Sequence, residues 1–515
     1  MPRKIKVHEK VLGHLSRGLY RSPASALREL VSNAWDADAS YVRISTNFPT
    51  FFQVSVEDDG IGFTKDEFVT LMEGGIGNSL KRPGEEFTPR GRPVIGRLGI
   101  GLLGIAQICG SFTIASNPIK GAGFKARVRL YDLLKKRLDS DEGVVKDTDS
   151  VTEVDIGEYE FETDYEHKRR PTGTVVIADA VHPTFTRVFQ ESLKFEKYKD
   201  PSRDWKKALS TVSKVHSLQE LGDYWRLLWE LAACCPIPYI SKDALPDGLV
   251  RDEQKTLTTY GFVHLVDGIQ LFKPVYLSGN PDGYTAVKIL PQKQSVYGNE
   301  LSFRGYIAVQ EGLQLRPDEL RGILIRIKNV AIGNYDPSML DYRFNEGPRS
   351  RWVTGEIFVD RGLEDALNID RDSFNRFHPE YRALQKYIHV LLRKEVFPKV
   401  YQQIDVRSEK KAKEKAKEHE RTLKTVLSEA TGNPVNLRYA EDEHIKDGIP
   451  LATIEEDKDR IEILLPSPEA LKAKKKHRDL ASAILSIFEL ALREKTHHKQ
   501  RETFTELLQK LLSKW

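Results

Sequence analysis

Ala26-Leu27-Arg28-Glu29-Leu30-Val31-Ser32-Asn33-Ala34-Trp35-Asp36-Ala37-Asp38-Ala39 reads as a helix, because it is rich in Ala, Leu and charged side chains and contains neither Gly nor Pro. Glu29, Asn33 and Asp36 fall at i, i+4 and i+7 and share one face. Leu27, Leu30, Val31 and Ala34 make most of the opposite, apolar face. Just upstream, Ser22 can cap the helix and Pro23 can occupy its first turn. A carboxylate, a carboxamide and a second carboxylate in one row suit a hydrated magnesium ion and an oriented water, because Mg²⁺ takes few protein oxygens and keeps its waters. An ordinary amphipathic helix with a polar outer face carries the same pattern. The stretch therefore decides the fold only together with two others.

The first is Val54-Ser55-Val56-Glu57-Asp58-Asp59-Gly60-Ile61-Gly62-Phe63-Thr64, a strand ending in an acidic, glycine-punctuated turn. Tyr41 to Thr46 is its hairpin partner, with Asn47-Phe48-Pro49-Thr50 as the turn between them. Asp58 can reach a purine edge because Gly60 and Gly62 let the backbone approach closely. The second is Ile95-Gly96-Arg97-Leu98-Gly99-Ile100-Gly101-Leu102-Leu103-Gly104, a glycine-rich loop opening a helix over 100–109. Free N–H groups and a positive dipole end suit a triphosphate there. Gly99 to Gly104 also satisfies G-x-G-x-x-G. A dinucleotide fingerprint, however, needs a preceding strand and an acid about 20 positions on. Neither is present, and no G-x-x-x-x-G-K-[ST] occurs, so Rossmann and P-loop sites are excluded.

Taken in order, the three stretches resemble the N, G1 and G2 boxes of the GHKL ATPase superfamily (gyrase B, Hsp90, histidine kinases, MutL) over about the first 180 residues. The wording of the first box, and Gly74-Gly75-Ile76-Gly77-Asn78-Ser79 in the loop that follows the second, look closest to MORC-like and Hsp90-like prokaryotic ATPases. The resemblance implies an α+β protein: a Bergerat-type ATP-binding α/β sandwich, an S5-like α+β transducer domain, then a C-terminal α+β and helical region. It implies ATP and Mg²⁺ as cofactors. Asp58 and Thr174 would hold adenine, Asn33 would ligate Mg²⁺ directly, and Glu29 would face it through water and act as general base or water-orienting group. Asp36 would support the magnesium water shell or contacts to Arg and the lid. Gly60, Gly62, Gly96, Gly99, Ile100 and Gly101 would line the nucleotide. In the lid, Asn78, Ser79 and Lys81 are candidate phosphate contacts.

A later stretch, Val359-Asp360-Arg361-Gly362-Leu363-Glu364-Asp365-Ala366-Leu367-Asn368-Ile369-Asp370-Arg371-Asp372, resembles the catalytic loop of the Hsp90 middle segment. There Arg371 would reach the γ-phosphate, with Asn375 as a second polar contact. Lys328, in Leu324-Ile325-Arg326-Ile327-Lys328-Asn329, is the rival cation. Either one, delivered from another domain, would tie hydrolysis to domain closure.

At 515 residues the chain is too long for one core. The expected division is an ATPase domain over 1–182, a helical insertion or linker over 183–257, a transducer over 258–400, a charged linker helix over 401–428 and a C-terminal domain over 429–515. A helix is expected from Val7 to Tyr20. Residues 135–170 read as an acidic surface insertion, and Trp205, Trp225 and Trp229 as core. Strands are expected near Gly261–Val266, Gln270–Pro274, Leu301–Val309, Gly322–Lys328 and Trp352–Val359, followed by a helix over 379–397. A net charge of +4 gives no global polybasic signature of nucleic-acid binding. Three cysteines without a CxxC pair fit a reducing cytoplasm. No signal peptide or membrane span is expected. The functional expectation is an ATP-gated homodimeric clamp of slow turnover, acting with DNA or with a partner protein of a repair or anti-phage defence system. The alternative is an Hsp90-like chaperone with protein clients. A histidine kinase would need a phosphoacceptor helix, and no His context before residue 30 suits one.

Overall fold

The structure is a computed structural model. It describes residues 2–8, 22–73, 86–96, 104–105, 107–131, 153–163, 165, 171–193, 204–240, 248–274, 284–310, 314–344, 346–368 and 372–402, with scattered residues and three strands beyond. Residues 1–400 and 401–515 are separate compact units.

In the first unit, a nine-stranded sheet among the described residues has the order β1-β6-β5-β4-β7-β3-β2-β8-β9. Its strands are β1 (Arg3–His8), β2 (Tyr41–Ser45), β3 (Val54–Asp58), β4 (Ser111–Asn117), β5 (Phe124–Leu130), β6 (Glu153–Phe161), β7 (Gly173–Ala178), β8 (Val263–Val266) and β9 (Ile269–Gln270). Helix α1 (Pro23–Asp36) buries Leu27, Leu30, Val31, Ala34 and Trp35. The Trp35 ring meets Tyr260 and Phe262 edge-on at 5.2 and 5.4 Å. Helices α2 (Lys65–Glu73), α3 (Pro183–Ser192), α4 (Trp205–Val212), α5 (Asp223–Cys234) and α6 (Arg251–Thr259) follow. Trp205, Trp225 and Trp229 are buried as expected. Helix α5 is apolar nearly all round, as a helix packed on several sides must be, and it touches both α1 and the second sheet.

That second sheet has the order β10-β11-β14-β12-β13, with β10 (Tyr284–Val296), β11 (Asn299–Gln310), β12 (Gly322–Ile327), β13 (Val330–Asp336) and β14 (Val353–Arg361). β12 and β14 are parallel and the other pairs antiparallel. Helix α7 (Pro379–Leu391) runs on into a π-turn over Leu392–Val396. The architecture is mixed α+β, as the sequence implies. In the second unit β15 (Val435–Ala440), β16 (Thr453–Asp457) and β17 (Arg460–Pro466) form a small sheet of order β15-β17-β16.

Three sequence expectations are corrected. Val7 and His8 belong to strand β1, not to a helix, while residues 9–21 lie outside the described ones. Part of the supposed acidic insertion is β6, hydrogen-bonded between β1 and β5. Its outward Glu158 and Glu160 mask the inward Ile156 and Tyr159, each only 1% exposed. Gly157 is required there, since a Cβ would lie 2.5 Å from the Arg129 carbonyl oxygen. Finally, β8 does not belong to the second sheet but pairs in parallel with β2. Asp267 fastens the far end of β8 by accepting from Thr46 N and Oγ1 at 2.8 and 2.7 Å and from the Tyr224 hydroxyl at 2.7 Å. Such long-range parallel pairing leaves no local signature.

A buried ion pair joins the second sheet to the helices. Arg326 Nε donates to Glu356 at 2.9 Å, and its Nη1 donates to the Ala233 carbonyl, in the last turn of α5, at 2.8 Å. The Tyr239, Tyr306 and Tyr335 hydroxyls also donate to Glu356, at 2.5, 3.1 and 3.1 Å. Both charged side chains are fully buried, so breaking the pair costs more than replacing it whole. Glu356→Gln should destabilise the protein by about 3–5 kcal/mol in denaturant unfolding. The double replacement Arg326→Met/Glu356→Leu should lose clearly less, and a Glu356→Gln midpoint equal to wild type would refute the assignment.

Candidate functional site

Helix α1 starts where its sequence says. The Ser22 hydroxyl accepts from Ser25 N at 3.3 Å and Pro23 occupies the first turn. Along its polar row the environment changes. Glu29 is buried at 6% exposure, Asn33 is exposed and Asp36 half-buried. A buried Glu29 is not what a solvated outer helix face provides.

Asp36 holds the entry to the glycine-rich loop, accepting from Ile95 N at 2.8 Å and Gly96 N at 2.7 Å. Because the Gly96 N–H is engaged by Asp36, Gly96 frames the loop and does not itself offer that donor to a phosphate. The segment leading in is pinned as well. Trp35 Nε1 donates to the Pro93 carbonyl at 3.0 Å. Arg92, fully buried against the Trp35 ring, donates to the Ala39 and Tyr260 carbonyls at 2.7 and 2.8 Å. Asp38 accepts from Thr88 Oγ1 and from Arg90 N. Sequence reasoning missed Arg92 and Asp38, because a basic residue in a Gly- and Pro-rich loop reads as solvated.

The opposite end is built from β3 and β7. Their antiparallel register sets Thr174 directly across from Asp58, and Thr174 Oγ1 is 3.1 Å from Ser116 Oγ. Asp58 Oδ1 accepts from Gly60 N at 2.9 Å. Gly60 passes so close to α1 that a Cβ would lie 2.7 Å from the Ala37 Cβ, and Gly62 adopts φ +63° against Asn117. Both glycines are therefore sterically required. Burial pushes the Asp58 carboxyl up to about 7, against the opposing effect of its backbone donors at Gly60 and Thr174. The group thus changes charge near neutrality.

At the Glu29 end the second sheet enters. Lys328 and Asn329 form the two-residue turn between β12 and β13, with φ of 51° and 69°. Such turns favour Asn or Gly, and a lysine in the left-handed region is strained. Lys328 Nζ donates to the Val94 carbonyl at 3.1 Å and lies 3.6 Å from Glu364. Lys328 and Glu29 line one cavity of about 300 Å³. Arg28, to which the sequence reading gives no role, is 3% exposed. Its Nη1 pairs with Asp372 at 2.5 Å and its Nη2 lies 3.6 Å from Glu29. Ser25 Oγ also donates to Asp372, at 2.8 Å.

Asn78, Ser79, Lys81, Gly99, Ile100, Gly101 and Arg371 lie outside the described residues. Asn375 accepts from Phe377 N at 3.0 Å and so caps its own loop. Among the described residues no group of three or more His, Cys, Asp or Glu side chains is arranged to hold a metal. An Asn33-held Mg²⁺ needs none, because phosphate and water complete its shell, and the exposed carboxamide fits that donor set. Also among the described residues, no helix is long and apolar enough to cross a membrane.

Asp58 and Thr174 thus lie at one end of this region, the buried Glu29 at the other, and Asp36 holds the entry to the glycine-rich stretch between them. Residues 20–154 match the family described as histidine kinase-, DNA gyrase B- and HSP90-like ATPase, which supports the GHKL superfamily for this part of the chain. Over 97 residues (19% of this chain, 15% of the relative) it is 40% identical to a putative type II restriction enzyme, HgiDII, of Herpetosiphon aurantiacus. Over 103 residues (19% and 17%) it is 34% identical to the DNA mismatch repair protein MutL of Methanocorpusculum labreanum. The chain thus spans less than a fifth of either relative. A crystal structure of the N-terminal domain of a DNA repair protein aligns over 76% of this chain and 98% of its own, at 12% identity and a TM-score of 0.37.

The elevated Asp58 carboxyl has a measurable consequence. Its ionised form is the better acceptor for an adenine amino group, and that form is depleted below about pH 7. Affinity for a non-hydrolysable ATP analogue should weaken about tenfold from pH 8 to pH 6, following the ionised fraction. Titration by fluorescence or calorimetry checks this, and a flat profile would exclude Asp58 from the adenine site. Without nucleotide the sign reverses for folding. A carboxyl raised above its unfolded value favours the folded state at low pH, and that contribution is lost as pH rises through about 7.

Proposed function

We propose that the first unit is a slowly turning-over, Mg²⁺-dependent ATPase that works as an ATP-gated dimeric clamp or switch in a DNA-related process. The observation that carries this reading is the burial of Glu29 beside a cavity shared with Lys328 of the second sheet. A buried carboxylate one helical turn from an exposed Asn33 suits activation of water beside a metal-held phosphate.

Each residue has one role in this reading. Asp58 and Thr174 hold the adenine. Gly99, Ile100 and Gly101 cradle the phosphates with their backbone, and Asn78, Ser79 and Lys81 close over them. Asn33 carries Mg²⁺, which when bound supplies charge neutralisation at the phosphates. Glu29 takes the proton of the attacking water, or orients that water. Asp36 keeps the loop entry in register for the phosphates. Lys328 supplies the cation at the γ-phosphate, and its strained turn supports that assignment, since strain of this kind concentrates at functional sites. Arg371 is the rival. The link from Asp372 to Arg28 favours a loop of the Hsp90 type, and so keeps a protein-client chaperone as the second reading. The DNA-related reading draws on the names of the two relatives, a restriction enzyme and a mismatch repair protein. A repair or defence system would supply the partner protein.

Glu29→Ala should abolish hydrolysis and keep ATP binding, whereas Asp58→Ala should lose binding. Hydrolysis at the wild-type rate in Glu29→Ala would remove Glu29 from its role. Lys328→Gly separates function from stability. It relieves the left-handed backbone by about 1 kcal/mol, so the melting temperature should hold or rise while kcat falls about a hundredfold. Unchanged kcat in that variant, with loss in Arg371→Ala, would transfer the role to Arg371. ATPase rate measured with and without double-stranded DNA at two salt concentrations tests the partner. Salt-sensitive stimulation supports a nucleic-acid clamp, and indifference to DNA supports the protein-client reading.

A further inference from the structure

We infer that the cavity between α1 and the β12–β13 hairpin is a water chamber that feeds Glu29 and carries its proton away. The inference rests on the ATPase reading above and adds a second-sheet wall to its active site. The cavity measures about 300 Å³, at the small end for a ligand site. Its walls carry both signs of charge: Arg28 and Lys328 against Glu29, Glu364 and Asp365. That mixture offers both donors and acceptors, and water donates and accepts equally. Arg28 Nη2 is a buried donor with no hydrogen-bond acceptor among the described residues, and a buried donor in a roomy polar cavity is the usual seat of an ordered water. Asp372 and Ser25 hold Arg28 in place, so that donor is fixed. Ser32 and Asn368 add polar groups, and Val330 and Ala331 of β13 are part of its apolar wall.

The chemistry balances without another reactant. The oxygen of one water forms a bond to the γ-phosphorus, and the bond from that phosphorus to the β–γ bridging oxygen breaks as ADP leaves. The water's proton passes to the Glu29 carboxylate. Glu29 then returns the proton to water in the chamber, which leads it to solvent and resets the base for the next turnover.

Ala331 is fully buried, lines the cavity and has no polar role in it, so Ala331→Leu fills the chamber without touching the reacting groups. The expected result is kcat lowered at least tenfold, with KM, affinity for an ATP analogue and melting temperature unchanged. Ala331→Ser, which keeps the volume, should hydrolyse at the wild-type rate. A merely structural defect would move KM or melting temperature together with kcat. Should Ala331→Leu not fold, Val330→Ile adds one methyl to the same wall and should lower kcat about threefold. Wild-type kcat in either folded filling variant overturns the chamber while leaving the ATPase reading intact. Absence of ATP hydrolysis by the wild-type protein overturns the ATPase reading itself, and the chamber with it.

Discussion

The Arg326–Glu356 pair is the constraint on which the relation of Lys328 to Glu29 depends. Arg326 precedes Lys328 by two residues on β12, and its guanidinium reaches the carbonyl end of α5 as well as Glu356. Cations are favoured at helix C-termini because unpaired carbonyls and the dipole collect negative charge there. Helix α5 in turn packs on α1. The β12–β13 hairpin is therefore indexed to α1 through two packed contacts and one buried ion pair. Lys328 donates to the Val94 carbonyl and lines the same cavity as Glu29.

Helix α1 works at both ends through different physics. Near its N-terminus, burial and the Arg28–Asp372 pair create a low-dielectric setting around Glu29, where a charge interacts strongly with what faces it. Near its C-terminus, Asp36 and the Trp35 indole act as a hydrogen-bonding template for residues 93–96. Asn33, between them, stays in solvent, where a metal can keep its waters. One 14-residue helix thus divides into an end that buries Glu29 and an end that holds the loop entry, with Asn33 exposed between them.

The order of motifs, the cap at Ser22, the β2–β3 hairpin, the strand at Thr174 and the core role of three tryptophans were all legible from local pattern. Other features were not. β6 was hidden because its outward acids dominate its composition. β13 was hidden because its hairpin turns through Lys-Asn in place of a glycine signal. Arg28, Arg92 and Asp372 look like surface charges in one dimension. Each becomes buried only because a partner more than fifty residues away comes to meet it.

By itself the sequence determined the class of site. The spacing of Glu29, Asn33 and Asp36 on a helix, an aspartate among glycines and a glycine-rich loop are short-range patterns, and short-range geometry follows from helix and turn periodicity alone. Tertiary structure decided which groups meet. It set Lys328 against Val94, tied Arg28 to Asp372, gave the Gly96 N–H to Asp36 and formed a cavity beside Glu29. Those outcomes depend on pairing across hundreds of residues and on the free energy of burying charges together, neither of which leaves a mark in neighbouring residues.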